Sequence, residues 1–147
     1  MGFSGSAHGE PEMAEFLAQI PASVFIMDYD HNSTVEELDA RHENFYKTVR
    51  RHNPLLPVVM INRPLFEERG DYDRRKQIIM RTYQNALSAG DKNVYFIDSE
   101  NFFPPEIKSL CTTDDTHPND FGFYIMAKNI YPVLSEILHE GTNAKWI

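Results

Sequence analysis

Ser23-Val24-Phe25-Ile26-Met27-Asp28-Tyr29, then Asp30-His31-Asn32-Ser33, then the span from Thr34 to His52: the reading of this stretch decides the fold. The first piece is a short apolar run rich in strand formers. Apolar residues set side by side, rather than alternating with polar ones, suit a strand covered on both faces. The last piece is amphipathic, with Val35, Leu38, His42, Phe45, Tyr46 and Val49 on one helical face. Its opening, Ser33-Thr34-Val35-Glu36-Glu37, carries capping-box chemistry.

The same alternation continues on both sides. Upstream, Glu10 to Ile20 reads as a helix, with Pro11 in its first turn and Met13, Phe16, Leu17 and Ile20 at helical spacing, broken by Pro21-Ala22. Downstream, Pro54 and Pro57 precede a second strand over Val58 to Asn62, and Asp71 to Ser88 is a helix with Gly90 where a C-terminal cap belongs. Asn93 to Asp98 is a third strand, and Ser99 to Thr116 a loop. Asn119 to His139 is a last helix, kinked or broken at Pro132. Strand and helix in strict alternation imply a parallel sheet, right-handed crossovers and helices on both faces. There is no internal repeat and no low-complexity segment.

Composition bounds the function classes. The chain has 147 residues, suited to one domain, and 41% of them are hydrophobic, enough to fill a core. A net charge of -8, from 22 acidic against 14 basic residues, repels phosphate backbones and anionic lipid, so nucleic acid and membrane surfaces are not expected partners. The single Cys111 excludes an internal disulfide and a multi-thiolate zinc site. No apolar run approaches the roughly 20 residues of a membrane span. Met1-Gly2-Phe3-Ser4-Gly5-Ser6 has neither the basic flank nor the apolar segment of a signal peptide, so the compartment stays open, as does the oligomeric state.

In parallel α/β sheets a ligand site lies beyond the C-terminal ends of the strands. Three polar clusters stand at such ends here: Asp30-His31-Asn32, Asn62-Arg63, and the loop bearing Asp114 and His117. Asp114-Asp115-Thr116-His117-Pro118-Asn119-Asp120 is the most specific of them. A carboxylate three residues before a histidine, closed by proline at a helix start, is a way to orient an imidazole and stabilise its charged form. Two other readings compete: a helix cap that happens to carry these residues, and a metal site using Asp114, Asp115, His117 and Asp120, which lacks a histidine or cysteine arriving from another strand. Of the other histidines, His42, His52 and His139 read as surface or half-buried helix residues and His8 as a loop residue. His31, beside Asn32, is a candidate for lining a pocket together with Arg63. Gly2-Phe3-Ser4-Gly5-Ser6 falls short of the G-x-S-x-G nucleophile elbow, because its last position is serine and no strand can precede Ser4. A tight turn with its amides directed into the site is the better reading.

These residues together resemble the SGNH, or GDSL-like, hydrolase superfamily, in particular bacterial GDSL-like lipases and acetylhydrolases. Asp114 to Asp120 resembles that family's last block, D-x-x-H-P-N. Asn32 matches the asparagine whose side chain donates to the oxyanion hole, and Gly5 aligns with the glycine whose amide does the same. The third block is usually Gly-x-Asn-Asp, whereas this chain reads Tyr29-Asp30-His31-Asn32-Ser33. The first block, Gly-Asp-Ser with the nucleophile, is absent.

The resemblance implies a three-layer α/β/α fold with a flavodoxin-like parallel sheet of strand order 2-1-3-4-5, of which this chain supplies the last three strands. It further implies one SGNH hydrolase-like domain over residues 1–147, N-terminally truncated. His117 becomes the general base, Asp114 its partner, and Asn32 and Gly5 the oxyanion donors, with the nucleophilic serine upstream of this chain. The substrate would be a small ester, such as an acetylated carbohydrate or a lipid, and no cofactor or metal is required. The alternative is a non-catalytic α/β binding module that keeps the pocket without the nucleophile.

Overall fold

The structure is a computed structural model and describes residues 2–66 and 70–140. They run as α1 (Pro11–Leu17), β1 (Phe25–Met27), α2 (Val35–His52), β2 (Val58–Ile61), α3 (Tyr72–Ser88), β3 (Val94–Ile97), a 3₁₀ turn at Lys108–Leu110, and α4 (Asp120–Glu140). They form two compact units, one of residues 2–63 and 70–98, the other of 64–66 and 99–140.

The first unit is a parallel sheet in the order β1-β2-β3, with Phe25 opposite Val58 and Val58 opposite Val94. Side chains alternate across it. Met27, Val58, Met60 and Val94 share one core with Ala14 of α1 and Ala18 at its C-terminal cap, Phe45, Tyr46 and Val49 of α2, and Ile79 and Ala86 of α3. Val59, Ile61 and Ile97, on the other face, are buried as well. Doubly buried strands are what unalternating apolar runs signify. The strands run parallel in chain order, as the strand–helix alternation implies, with both crossover helices contributing to the same core.

Local chemistry sets the element ends. Thr34 closes a full capping box on α2: its hydroxyl accepts from Glu37 N at 3.1 Å, and the Glu37 carboxylate accepts from Thr34 N at 3.0 Å. Pro11 begins α1, and Gly90, with φ at +88°, turns the chain out of α3. The six apolar-face positions of α2 are its six buried residues. His42 departs from expectation in degree: it is buried at 2% exposure because α3 supplies a partner, Thr82 Oγ1, 2.9 Å from Nδ1.

Two other differences have simple causes. β1 is three residues long because its ladder on β2 spans only Phe25 to Met27, after which the backbone leaves the sheet. α4 continues across Pro132 without a break. The proline removes one intrahelical N–H, but the carbonyl it frees, on Lys128, is on an exposed residue that water can reach. No described helix is long and apolar enough to cross a membrane.

Candidate active site

The second unit carries the histidine. An antiparallel bridge between Thr112 and Pro118 closes a loop, reinforced by Thr113 N donating to His117 O at 3.1 Å and Thr112 Oγ1 to the same carbonyl at 2.9 Å. Inside it the chain folds back through Asp115 at φ +62°, a left-handed conformation that aspartate tolerates better than most residues. Asp114 occupies the centre. Its Oδ1 accepts from His117 N at 2.7 Å and Thr116 N at 3.1 Å, while Oδ2 lies 2.7 Å from His117 Nδ1. Asp115 is not the partner.

Asn119, just before α4, ties this loop to the helix. Its Oδ1 accepts from Gly122 N at 3.0 Å, and its Nδ2 donates to Leu110 O at 2.9 Å and Thr112 O at 3.3 Å. Gly122 is required by this approach, since a Cβ there would stand 2.0 Å from Cys111 O.

The electrostatics follow from these bonds. The His117 main-chain N–H, and then its ring N–H, hold the Asp114 carboxyl down at about 2. A carboxylate can only accept, so the proton of a neutral imidazole lies on Nδ1 and Nε2 carries the lone pair. The His117 side chain is 74% exposed, and Nε2 has no hydrogen-bond partner among the described residues. That arrangement can take a proton from a hydroxyl and return it. Among the described residues no group of three or more histidine, cysteine, aspartate or glutamate side chains could hold a metal ion.

The first unit holds the other expected residues. Asn32 is exposed in the turn after β1; its N donates to Tyr29 O at 3.2 Å, and its side chain makes no hydrogen bond among the described residues. Gly5 sits in a tight turn closed by Ser6 N donating to Phe3 O at 2.9 Å, with Ser4 at φ +50° and Gly5 at φ +79°. Its amide has no acceptor among the described residues. Both are unoccupied donors.

Arg63 and His31 meet, with Arg63 Nη1 3.2 Å from His31 Nδ1, and Arg63 N donates to Asp30 Oδ2 at 3.2 Å. The ends of β1 and β2 are therefore drawn together. Asp30 is buried, and burial pushes its carboxyl up to about 6, against the opposing pull of the Arg63 N–H and guanidinium. Sequence reasoning missed two residues here, Asp71 and Arg75. Arg75 donates through Nε to Asp71 Oδ2 at 2.7 Å and through Nη1 to the carbonyls of Asp30 and, at 2.8 Å, Ser33. Their four-residue spacing at the start of a helix was the available signal. Burial would raise the Asp71 carboxyl, but the Arg75 hydrogen bond and the charges of Arg75 and Arg63 bring it below the usual range. A cavity of about 380 Å³ lies beside β1, lined by apolar side chains including Phe3, Met13, Leu17, Ile20, Phe25 and Ile26.

Comparison with known proteins gives a consistent result. The model of the GDSL-like Lipase/Acylhydrolase family matches residues 1–135. A protein described as a GDSL-like lipase, from Bacteroides ovatus ATCC 8483, is 32% identical with a TM-score of 0.80, over 92% of this chain and 42% of that one. A salicylyl-acyltransferase from a tetracycline biosynthetic pathway shares the fold at 19% identity and a TM-score of 0.73, over 89% of this chain and 42% of that one. An active-site mutant of a family two carbohydrate esterase from Clostridium thermocellum does so at 18% identity and a TM-score of 0.65, over 81% and 37%. No curated protein matches the chain. The likeness places the chain in the three-layer α/β/α class read from its sequence, with three strands among the described residues. The chain spans about two fifths of the length of these solved structures.

Proposed function

The chain belongs to the GDSL-like lipase/acylhydrolase family, and from that membership we propose that it supplies the base, its carboxylate partner and two oxyanion donors of a serine ester hydrolase. The nucleophilic serine lies upstream of residue 1, in the remainder of one SGNH hydrolase-like domain. The observation that carries this reading is the Asp114–His117 pair: one carboxylate fixes both the main chain and Nδ1 of the histidine and leaves Nε2 open. The edge of the sheet supports the upstream serine. β1 has a neighbour on one side only among the described strands, and the apolar cavity beside it suits a further strand that would bring the serine.

In that reading the serine hydroxyl attacks an ester carbonyl while His117 Nε2 takes its proton. Asp114 holds the imidazole in the tautomer with Nδ1–H and stabilises the imidazolium. The oxyanion is held by Asn32 Nδ2, the Gly5 amide and the serine's own amide. His117 then returns the proton to the leaving alcohol, and water repeats the cycle on the acyl-enzyme. Family membership supports small esters as substrates, and the carbohydrate esterase among the structural neighbours supports acetylated carbohydrate as one class. No residue is assigned to a cofactor.

The protein carrying its upstream segment is expected to react with a fluorophosphonate probe and to hydrolyse p-nitrophenyl acetate. Asn32→Ala should slow it by about 10²–10³-fold. This chain alone should be no faster than its His117→Ala variant. A full-length protein blind to the probe favours the binding-module alternative, and turnover by this chain that requires His117 but survives Ser4→Ala and Ser6→Ala means that another group attacks.

A further inference from the structure

The turn that presents Asn32 is held from beneath by a single buried cation. Arg75, 7% exposed, reaches from the first turns of α3 to the end of β1. Its Nη1 donates to the carbonyls of both Asp30 and Ser33, the residues on either side of the exposed pair His31 and Asn32. Two carbonyls converging on one nitrogen fix the curvature of the turn between them. The other side of the guanidinium is anchored as well, by Nε to Asp71 Oδ2 at 2.7 Å, and Asp71 Oδ1 accepts from Arg63 Nη2 at 3.1 Å. Arg63 N closes the circuit on Asp30 Oδ2.

We infer that Arg75 is a positioning residue for the oxyanion donor Asn32, acting through the main chain of the Asp30–Ser33 turn; the inference rests on the serine-hydrolase reading of the site. Asn32 has no side-chain hydrogen bond of its own among the described residues, so the direction of its amide depends on the backbone that carries it. An oxyanion donor works only if it is already aimed before charge develops, because the turn would otherwise reorganise during the reaction. A buried guanidinium is costly unless its donors are satisfied. This one satisfies them largely on the turn that carries the donor. Lysine would keep the charge but not the geometry, since one ammonium cannot hold both carbonyls and Asp71 at the angles of a planar fork.

The test is a double-mutant cycle in the full-length protein, with kcat expressed per site titrated by the fluorophosphonate probe so that a loss of folded protein does not count. Arg75→Lys is expected to lower kcat about 10–100-fold with KM for p-nitrophenyl acetate changed by less than about twofold, because only the charged intermediate uses the donor. In an Asn32→Ala background the same substitution should cost less than about twofold, because the donor it aims is gone. Equal losses in both backgrounds, or an unchanged kcat in the first, overturn the inference while leaving the oxyanion role of Asn32 standing. If Asn32→Ala alone costs nothing, the oxyanion reading falls and this inference with it. Should Arg75→Lys not fold, Asp71→Ala, which removes the acceptor of Nε and leaves the charge of Arg75 in place, carries the same comparison with the same expected pattern.

Discussion

Asp114 meets its neighbour twice, through the main-chain N–H and the ring N–H of His117, and the two bonds have different consequences. The first sets where the ring stands; the second sets which nitrogen carries the proton. A carboxyl held at about 2 stays ionised until well into acid. A depressed carboxylate adds stability that is present above its ordinary value, 3.8, and is lost as pH falls through about 2, so Asp114 stays ionised beside His117 at any pH above about 4. Asp114→Asn should separate the two bonds. The amide oxygen can still accept from His117 N, but the amide nitrogen then faces Nδ1 as a donor and drives the ring proton to Nε2, where the ring could not accept from the proposed serine. In a protein carrying the proposed upstream serine, kcat should fall on the order of 10⁴-fold, with the protein still folded by circular dichroism. A loss of less than tenfold would mean that Asp114 acts only as a turn residue.

Among the elements, α4 and α2 show how differently two helix starts are specified. The start of α2 is legible in its own sequence, since the hydroxyl of Thr34 and the carboxylate of Glu37 find each other three residues apart. The start of α4 depends on a long-range approach. Asn119 reaches back to Leu110 and Thr112, and the helix comes so close to Cys111 that only a glycine fits at position 122. Phe121-Gly122-Phe123 reads as an ordinary flaw in a helix until the carbonyl opposite it is known. Gly122→Ala is therefore expected to destabilise the protein by about 1–3 kcal/mol or more, since the obstructing atom is backbone and cannot rotate away. Gly2→Ala, with nothing within 4 Å of the added methyl, serves as the control and should leave the melting temperature unchanged. Equal melting temperatures for the two variants would contradict the clash.

Across the whole chain, what was legible was whatever depends on neighbours in sequence: the strand–helix order, the buried face of α2, the turn at Gly5, and Asp114 rather than Asp115 as the partner of His117. What was not legible depends on residues that meet only in the fold. Arg75 reaches Asp30 across 45 positions and Ser33 across 42, and His42 is buried because Thr82 waits 40 positions away. Two of these long-range environments pull stability in opposite directions with pH. Burial, assisted by the charge of Arg81, lowers His42 from 6.5 to about 4, so its contribution is complete above 6.5 and is lost as pH falls toward 4. Burial raises Asp30 from 3.8 to about 6, so its contribution is complete below 3.8 and is lost as pH rises toward 6. Each shift is equivalent to about 3 kcal/mol, at about 1.4 kcal/mol per unit, and between pH 4 and 6 the two slopes largely cancel. Asp30→Asn removes one slope and keeps an acceptor for Arg63 N. Relative to the wild type, the variant should gain melting temperature as pH rises from 4.5 to about 6 and hold that gain from there to 7.5, and on acidification from 6.5 to 4 it should lose stability more steeply than the wild type does. Melting curves at four pH values across that range decide the matter. A difference between variant and wild type that does not change with pH would show that Asp30 is ionised in the folded protein throughout, and that the Arg63 and Arg75 guanidiniums outweigh its burial.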